Sequence, residues 1–329
     1  MEQMNVKQNG EYDNNQSKKA KRKTGFRKYL DLYPFLIPAM IFALIFAYIP
    51  MAGISIAFKD YKLFYGLGDP ILAFKLSRWV GLEHFITLFN SEKFFEVLTN
   101  TLIISVYKIV FLFPIPVVIA ILITEAKNKL FNRSIQTVMY LPHFISWAVV
   151  AGLFMTFLAP FGSVNNFLIK IGLMSSDNPI KWFQDTGVFR GVLVASAGWK
   201  EIGWSAIVYI AAITAINPTL YEAAKIDGAS KLQQIWHITI PGITSTMAVL
   251  FVIRLGYLME AGFEQIIVMY NSTVYEVADI IGTYVYREGL GGGEYSFTTA
   301  VGLFNSVVAL VLVLSGNYLM RKYFDKGIW

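Results

Sequence analysis

Six long apolar stretches, a low content of charged side chains and a lopsided distribution of Lys and Arg predict an all-α membrane protein. It should have six transmembrane helices and both termini in the cytoplasm. Hydrophobic residues make up 55% of the 329-residue chain and aromatics 16%, but charged residues only 15%. Soluble domains carry roughly 25% charged residues, so this composition places the chain in a bilayer. It contains no Cys, and its three His (His84, His143 and His237) are scattered. That excludes a disulfide framework, thiolate chemistry and a Cys-based zinc site, and neither a metal nor a cofactor is expected.

Residues 1–30 come first, rich in Asn, Gln and Lys, with the run KKAKRK and eight Lys and Arg in all. They read as a disordered, basic cytoplasmic tail lying against anionic lipid. The net charge of +6 then reflects topology, and nucleic-acid binding is not expected. Residues 31–329 read as the transmembrane domain. A bilayer core takes about 20 helical residues, and the qualifying spans are 34–58, 97–124, 134–159, 188–216, 241–270 and 298–320. The first follows a long polar tail without a small-residue cleavage site, so it reads as a retained anchor.

Orientation follows from the connecting segments. The N-terminal tail, the second and fourth loops and the C-terminus together hold sixteen Lys and Arg, against eight in the alternate loops. By the positive-inside rule both termini are cytoplasmic, as an even number of spans requires. The external segments 59–96, with Trp79 and His84, 160–187, with VNNFLIKIGL, and 271–297, ending in GLGGGEYS, suit the reception of an extracellular binding protein. They suit equally well a role as interfacial helices.

The fourth loop, 217–241, contains YEAAKIDGAS. Asn217 can cap a helix that has Pro218 at its first position, and Gly228 suits the left-handed residue that closes one. Residues 218–227 should therefore form about three turns. Ser230 with Gln233 makes a capping box for a second short helix running to His237, before Pro241 opens the next span. Leu220, Ala223, Ala224 and Asp227 share one face of the first helix, which its small residues leave nearly flat and open to close approach by another backbone. By itself the loop reads as well as an ordinary connector.

The pattern Glu222-Ala223-Ala224, Gly228, Ile238 and Pro241, with nine residues between the Gly and the Ile, resembles the signature loop of permease subunits of binding-protein-dependent ABC sugar importers. The likeness is to the maltose type, nearest the polysaccharide and oligosaccharide branch. One departure is Ile240 before Pro241, where that family usually has Leu. The resemblance extends over five spans, from about residue 95 to 320. It implies the type I ABC importer permease fold and a bacterial plasma-membrane location. It implies as partners a second homologous permease, a cytoplasmic ATPase dimer, an extracellular solute-binding lipoprotein and a saccharide substrate. It also implies that the loop is a coupling helix, with Glu222 meeting a basic residue of the ATPase and Gly228 supplying the bend. No GxxxxGK[ST] occurs in the chain, so ATP hydrolysis is expected from a separate subunit.

Ionisable groups inside spans mark cavities or partners. Lys108, Lys200, Glu201 and Arg254 fall at similar depth, with Glu260 and Glu264 one turn apart further out, and Trp199 and Trp204 flank the Lys200-Glu201 pair. These groups either lock helices together or line a polar passage. Three cations against one carboxylate at that level would suit an acidic saccharide, with aromatic rings to stack on sugar faces. Two other classes stay open, a self-sufficient secondary transporter and a membrane-embedded transferase. The first should show inverted repeats with broken helices and the second acidic metal-binding pairs such as DxD in a cytoplasmic loop. Neither is evident.

Overall fold

The structure, a computed structural model, describes residues 33–126, 128–324 and 327. The basic tail 1–30 lies outside them, as do Lys127 and Lys326 among the cations that set the predicted orientation. Among the described residues all regular structure is helical, with one antiparallel bridge between Lys59 and Trp79. The chain divides into two units, Met1–Ser55 and Ile56–Trp329.

The first unit carries most of helix α1, Pro34–Phe58, which matches the first predicted span. A wide turn at Leu44–Tyr48 precedes Pro50, and the Ile49 N–H bonds five residues back to Leu44. Proline lacks an N–H and its ring clashes with the carbonyl four residues back, and a π turn relieves that clash without ending the helix.

The second unit begins with two short helices, α2 (Pro70–Leu76) and α3 (Glu83–Phe89). Helix α4, Glu92–Glu125, is a 34-residue element through Pro114 and Pro116. The third predicted span is not one helix. It consists of α5, Lys129–Tyr140, and α6, Trp147–Phe157, which meet at 104°. The sequence shows why: Pro142 disfavours continuation, and Ser146 caps the new helix by accepting from Val149 N–H. Helix α7 (Ser163–Lys170) is short, and α8 (Thr186–Thr214) is the centre of the unit, packed along α4.

Beyond α8 lies α9 (Pro218–Ile226), bent from it by 68°. The predicted second short helix and fifth span are one element, α10, Lys231–Gly256. Its wide turn at Ile235–Thr239 carries the Ile240 N–H back to Ile235 just ahead of Pro241, the device used before Pro50. The fifth span therefore starts ten residues earlier than predicted and ends at Gly256. There the chain turns through Ala261 (φ 51°) and Gly262 (φ 85°) into α11 (Phe263–Met269). Helix α12 (Ile281–Tyr286) lies within segment 271–297, and α13 (Tyr295–Phe324) is the last span, packed on α10.

Three apolar clusters hold the unit together. At one end, Phe189, Leu193, Ile266, Met269 and Ile280 pack round the first turns of α8. Leu88, Phe94, Val97, Met259 and Val301 join α3, α4 and α13. At the other end Val117, Ala206, Tyr209, Ile213 and Ile243 join α4, α8 and α10. Much of the remaining apolar surface, such as Val138, Leu310 and Val311, is exposed, as expected of side chains that face lipid.

Candidate functional site: a projecting loop and an intramembrane polar cavity

Helix α9 opens with the Asn217 side chain accepting from Thr219 N–H at 3.1 Å, with Pro218 at its first position. At its far end Ala229 N–H bonds to the Ala224 carbonyl at 2.8 Å, and Gly228 has φ 78°, the geometry that closes a helix on a left-handed residue. The capping box of Ser230 and Gln233 is present in both directions, at 3.3 and 2.7 Å. No residue of α9 is buried. Glu222, Ala223, Asp227 and Gly228 are exposed, Ala224 is half-buried, and Leu220 and Ile226 stand out at 51% and 86% exposure. A helix of about two and a half turns, with small residues and two protruding aliphatics, thus stands away from the spans. It is held behind by Tyr221, whose hydroxyl meets Thr239 Oγ1 at 2.9 Å. Ile238 lies in the wide turn of α10 and Pro241 just beyond it.

The ionisable groups of the spans separate into two places. Lys108, Glu201, Arg254 and Glu260 line a cavity of about 190 Å³ between α4, α8 and the turn after α10. Arg254 reaches Glu201 at 3.5 Å and Ser205 Oγ at 3.5 Å. The Lys108 ammonium donates to the Ala261 carbonyl at 2.9 Å and to Gln265 Oε1 at 2.5 Å. Gln265, fully buried, donates in turn to the Leu193 carbonyl and to Ser196 Oγ.

Lys200 does not face this cavity. It lies on the other side of α8, 7% exposed, and its ammonium donates to the carbonyls of His143 (2.6 Å), Ile145 (2.5 Å) and, more weakly, Pro142 (3.4 Å). Those carbonyls belong to the corner between α5 and α6. A broken helix leaves its last carbonyls without intrahelical partners, and a buried cation satisfies them. Successive residues on a helix point about 100° apart, and here that rotation turns Lys200 to the corner while Glu201 faces the cavity. The cavity therefore has two cations against two carboxylates, and the excess of positive charge expected from sequence is not there.

Trp204 stacks on His143 with ring centres 4.4 Å apart and lines, with Arg254, an adjoining cavity of about 170 Å³. Trp199 is edge-on to Phe154 at 6.0 Å, away from both. Glu260 and Glu264 do not share a helical face, because the turn at 257–262 separates them. Glu264 is exposed on the first turn of α11.

Sequence reasoning missed a polar network near the start of α8. Arg190 on α8 donates to Asn100 Oδ1 on α4 at 2.7 Å and to the Val277 carbonyl at 3.0 Å. Asn100 donates to the carbonyls of Glu276 and Asp279. The Asp279 side chain, fully buried, binds Arg287 at 2.8 Å and Thr283 Oγ1 at 2.7 Å, with Lys93 at 3.7 Å. The hydrogen bonds it donates to Asp279 push the Arg287 guanidinium above its ordinary basicity. One signal was available: Asp279 is the one charged residue inside the run VADIIGTY, where a charge needs a partner.

Comparison with known proteins agrees with this architecture. The family model for the binding-protein-dependent transport system inner membrane component matches residues 113–328. The polygalacturonan/rhamnogalacturonan transport system permease protein YteP of Bacillus subtilis is 42% identical over 315 residues, covering 95% of each chain. Protein LplB of the same organism is 40% identical and covers 91% of each. A chain of a bacterial ABC transporter that imports the acidic polysaccharide alginate superposes with TM-score 0.81 at 45% identity, over 91% of this chain and 97% of that one. The alginate transporter in complex with its alginate pentasaccharide-bound periplasmic protein matches equally well, at 44% identity. With the apolar spans, the projecting loop and these matches in agreement, the chain belongs to the family of binding-protein-dependent transport system inner membrane components.

Proposed function

We propose that this chain is one half of the translocation passage of an ABC importer for an acidic oligosaccharide or polysaccharide fragment, and that α9 is its coupling helix. The observation that carries the reading is α9 itself. A helix with no buried residue, closed on a left-handed Gly and presenting Leu220, Ala223 and Ile226 outward, is unfinished as a packed element and complete as an insert for a protein groove. In this reading both termini are cytoplasmic, the bent pair α5–α6 and the helix α8 each count as one crossing, and six spans result. A second, similar permease completes the passage, and a separate ATPase dimer receives one coupling helix from each permease. Glu222 faces a basic group of the ATPase, and Gly228 turns the chain from α9 into α10.

On the passage side, Lys108, Glu201, Arg254 and Glu260 form the polar wall, with Trp204 beside it. Acidic saccharide as substrate is supported by the named substrates of the relatives, alginate and polygalacturonan/rhamnogalacturonan. The test is ATP hydrolysis by the reconstituted transporter with its binding protein, loaded in turn with oligogalacturonide, alginate oligosaccharide and a neutral maltooligosaccharide. Stimulation by an acidic ligand and not by the neutral one supports the reading. Stimulation by the neutral one alone overturns the substrate class, and retention of the ATPase by Gly228→Val and Glu222→Lys variants overturns the role of α9.

A further inference from the structure

Behind α9, on the side that carries Tyr221 and Lys225, lies a recess of about 420 Å³ bounded by the ends of α4 and α8 and the start of α10. Its walls differ in character. Ile121, Ile213 and Ile216 form an apolar side, while Thr124, Tyr221 and Lys225 are among the groups of the polar side. Lys231, also in the lining, is tied to Glu125 at 2.5 Å, so those two charges cancel. Lys225 has no side-chain partner among the described residues and is left as the unbalanced cation. Gln234 lines the recess and is 2% exposed. Its amide nitrogen donates to the Ala229 carbonyl at 3.0 Å, which can only accept, so the oxygen assignment is set, and that oxygen has no partner among the described residues. A buried acceptor left unpaired is costly and calls for a donor from outside the chain.

We propose that this recess binds a phosphate ester carrying a hydroxyl group, in the form of an anionic phospholipid headgroup. The phosphate pairs with Lys225, the headgroup hydroxyl donates to Gln234 Oε1, and the first carbons of the acyl chains lie against Ile121, Ile213 and Ile216. The proposal rests on the functional reading only in placing this end of the spans at the inner surface. A lipid seated there fills the space between α9 and the spans. It would brace from behind the helix that the ATPase pushes.

The test uses the assembled transporter, permease pair with ATPase, in nanodiscs of phosphatidylcholine with graded phosphatidylglycerol, followed by native mass spectrometry. Wild type should keep phosphatidylglycerol through delipidation, and Lys225→Gln and Gln234→Met should each keep about tenfold less, the loss expected for one charge-assisted or buried hydrogen bond. Lys225 is on the surface, so its variant folds even if the buried one does not. A second arm supplies glycerol phosphate in pure phosphatidylcholine. Binding there by wild type and not by the variants also supports the site and identifies a soluble source. Equal retention by wild type and both variants, or retention of phosphatidylcholine as strong as that of phosphatidylglycerol, overturns the proposal. ATPase co-purification is scored separately, so that failure of the coupling role and failure of the lipid site give different results.

Discussion

Replacing Lys200 by Met separates a helix-locking role from a transport role. Met has nearly the length of Lys and tolerates irregular surroundings, so the change removes a charge and leaves the volume. In the structure the Lys200 ammonium holds two carbonyls at 2.6 and 2.5 Å and a third at 3.4 Å. Its positive charge also lies 5.5 Å from the Trp147 ring. Two bonds to a charged donor are worth about 1.5–3 kcal/mol each in water-soluble proteins. Interhelical bonds inside membranes average nearer 0.6 kcal/mol, because the unfolded state finds other partners there. Between those limits the loss is about 2–4 kcal/mol, concentrated on the 104° corner between α5 and α6. Lys200→Met should therefore lower the thermal stability of the purified transporter and expose the segment 141–146 to protease, with or without substrate. The measurements are a melting curve, limited proteolysis and ATP hydrolysis with loaded binding protein. A variant that keeps wild-type stability and protection yet loses only substrate stimulation would refute the argument and return Lys200 to the passage.

Other outcomes follow from the same geometry. Gly228→Val places a β-carbon where nothing lies within 4 Å, so its cost is the left-handed backbone, about 1–2 kcal/mol. It should leave the chain inserted and weaken ATPase co-purification. Glu201→Gln breaks a partly exposed pair at 3.5 Å worth about 0–1 kcal/mol; the melting temperature should barely move, while uptake of an acidic oligosaccharide changes. Asp279→Asn takes the charge from a fully buried carboxylate that faces Arg287 and Lys93. Arg287 and Lys93 keep access to solvent, so the cost is that of the charge-assisted hydrogen bonds, about 1.5–3 kcal/mol, and faster proteolysis of segment 271–291 would register it. Gly203→Val drives a side chain into the Met139 carbonyl where α5 packs on α8. That should reduce the yield of folded permease, whereas Gly191→Ala, facing open space on the same helix, should not.

Local chemistry was legible in the sequence and spatial direction was not. The cap at Asn217, the left-handed Gly228 and the capping box of Ser230 and Gln233 are decided by neighbours within a few residues, so the loop 217–230 could be read almost atom by atom. The first span could be read too, because apolar length alone places a helix in a bilayer. Its wide turn before Pro50 leaves the direction of the chain unchanged, and so does the same device before Pro241. That hid the continuity of α10, since a proline reads as a boundary until the geometry shows how the helix passes it. The corner at Pro142 is the opposite case. A mean hydropathy across 134–159 suits one span, and only packing of α5 against Gly203 and the Lys200 bonds to the exposed carbonyls make the bend a stable structure. Charge went the same way. Sequence places Lys108, Lys200, Glu201 and Arg254 at one depth, but which of them meet depends on helix rotation, a difference of 100° between neighbours that no composition records. The Asn100–Arg190 and Asp279–Arg287 contacts join residues far apart along the chain or hidden in a loop. Only the tertiary structure could decide them, because their energy comes from shared burial and not from spacing.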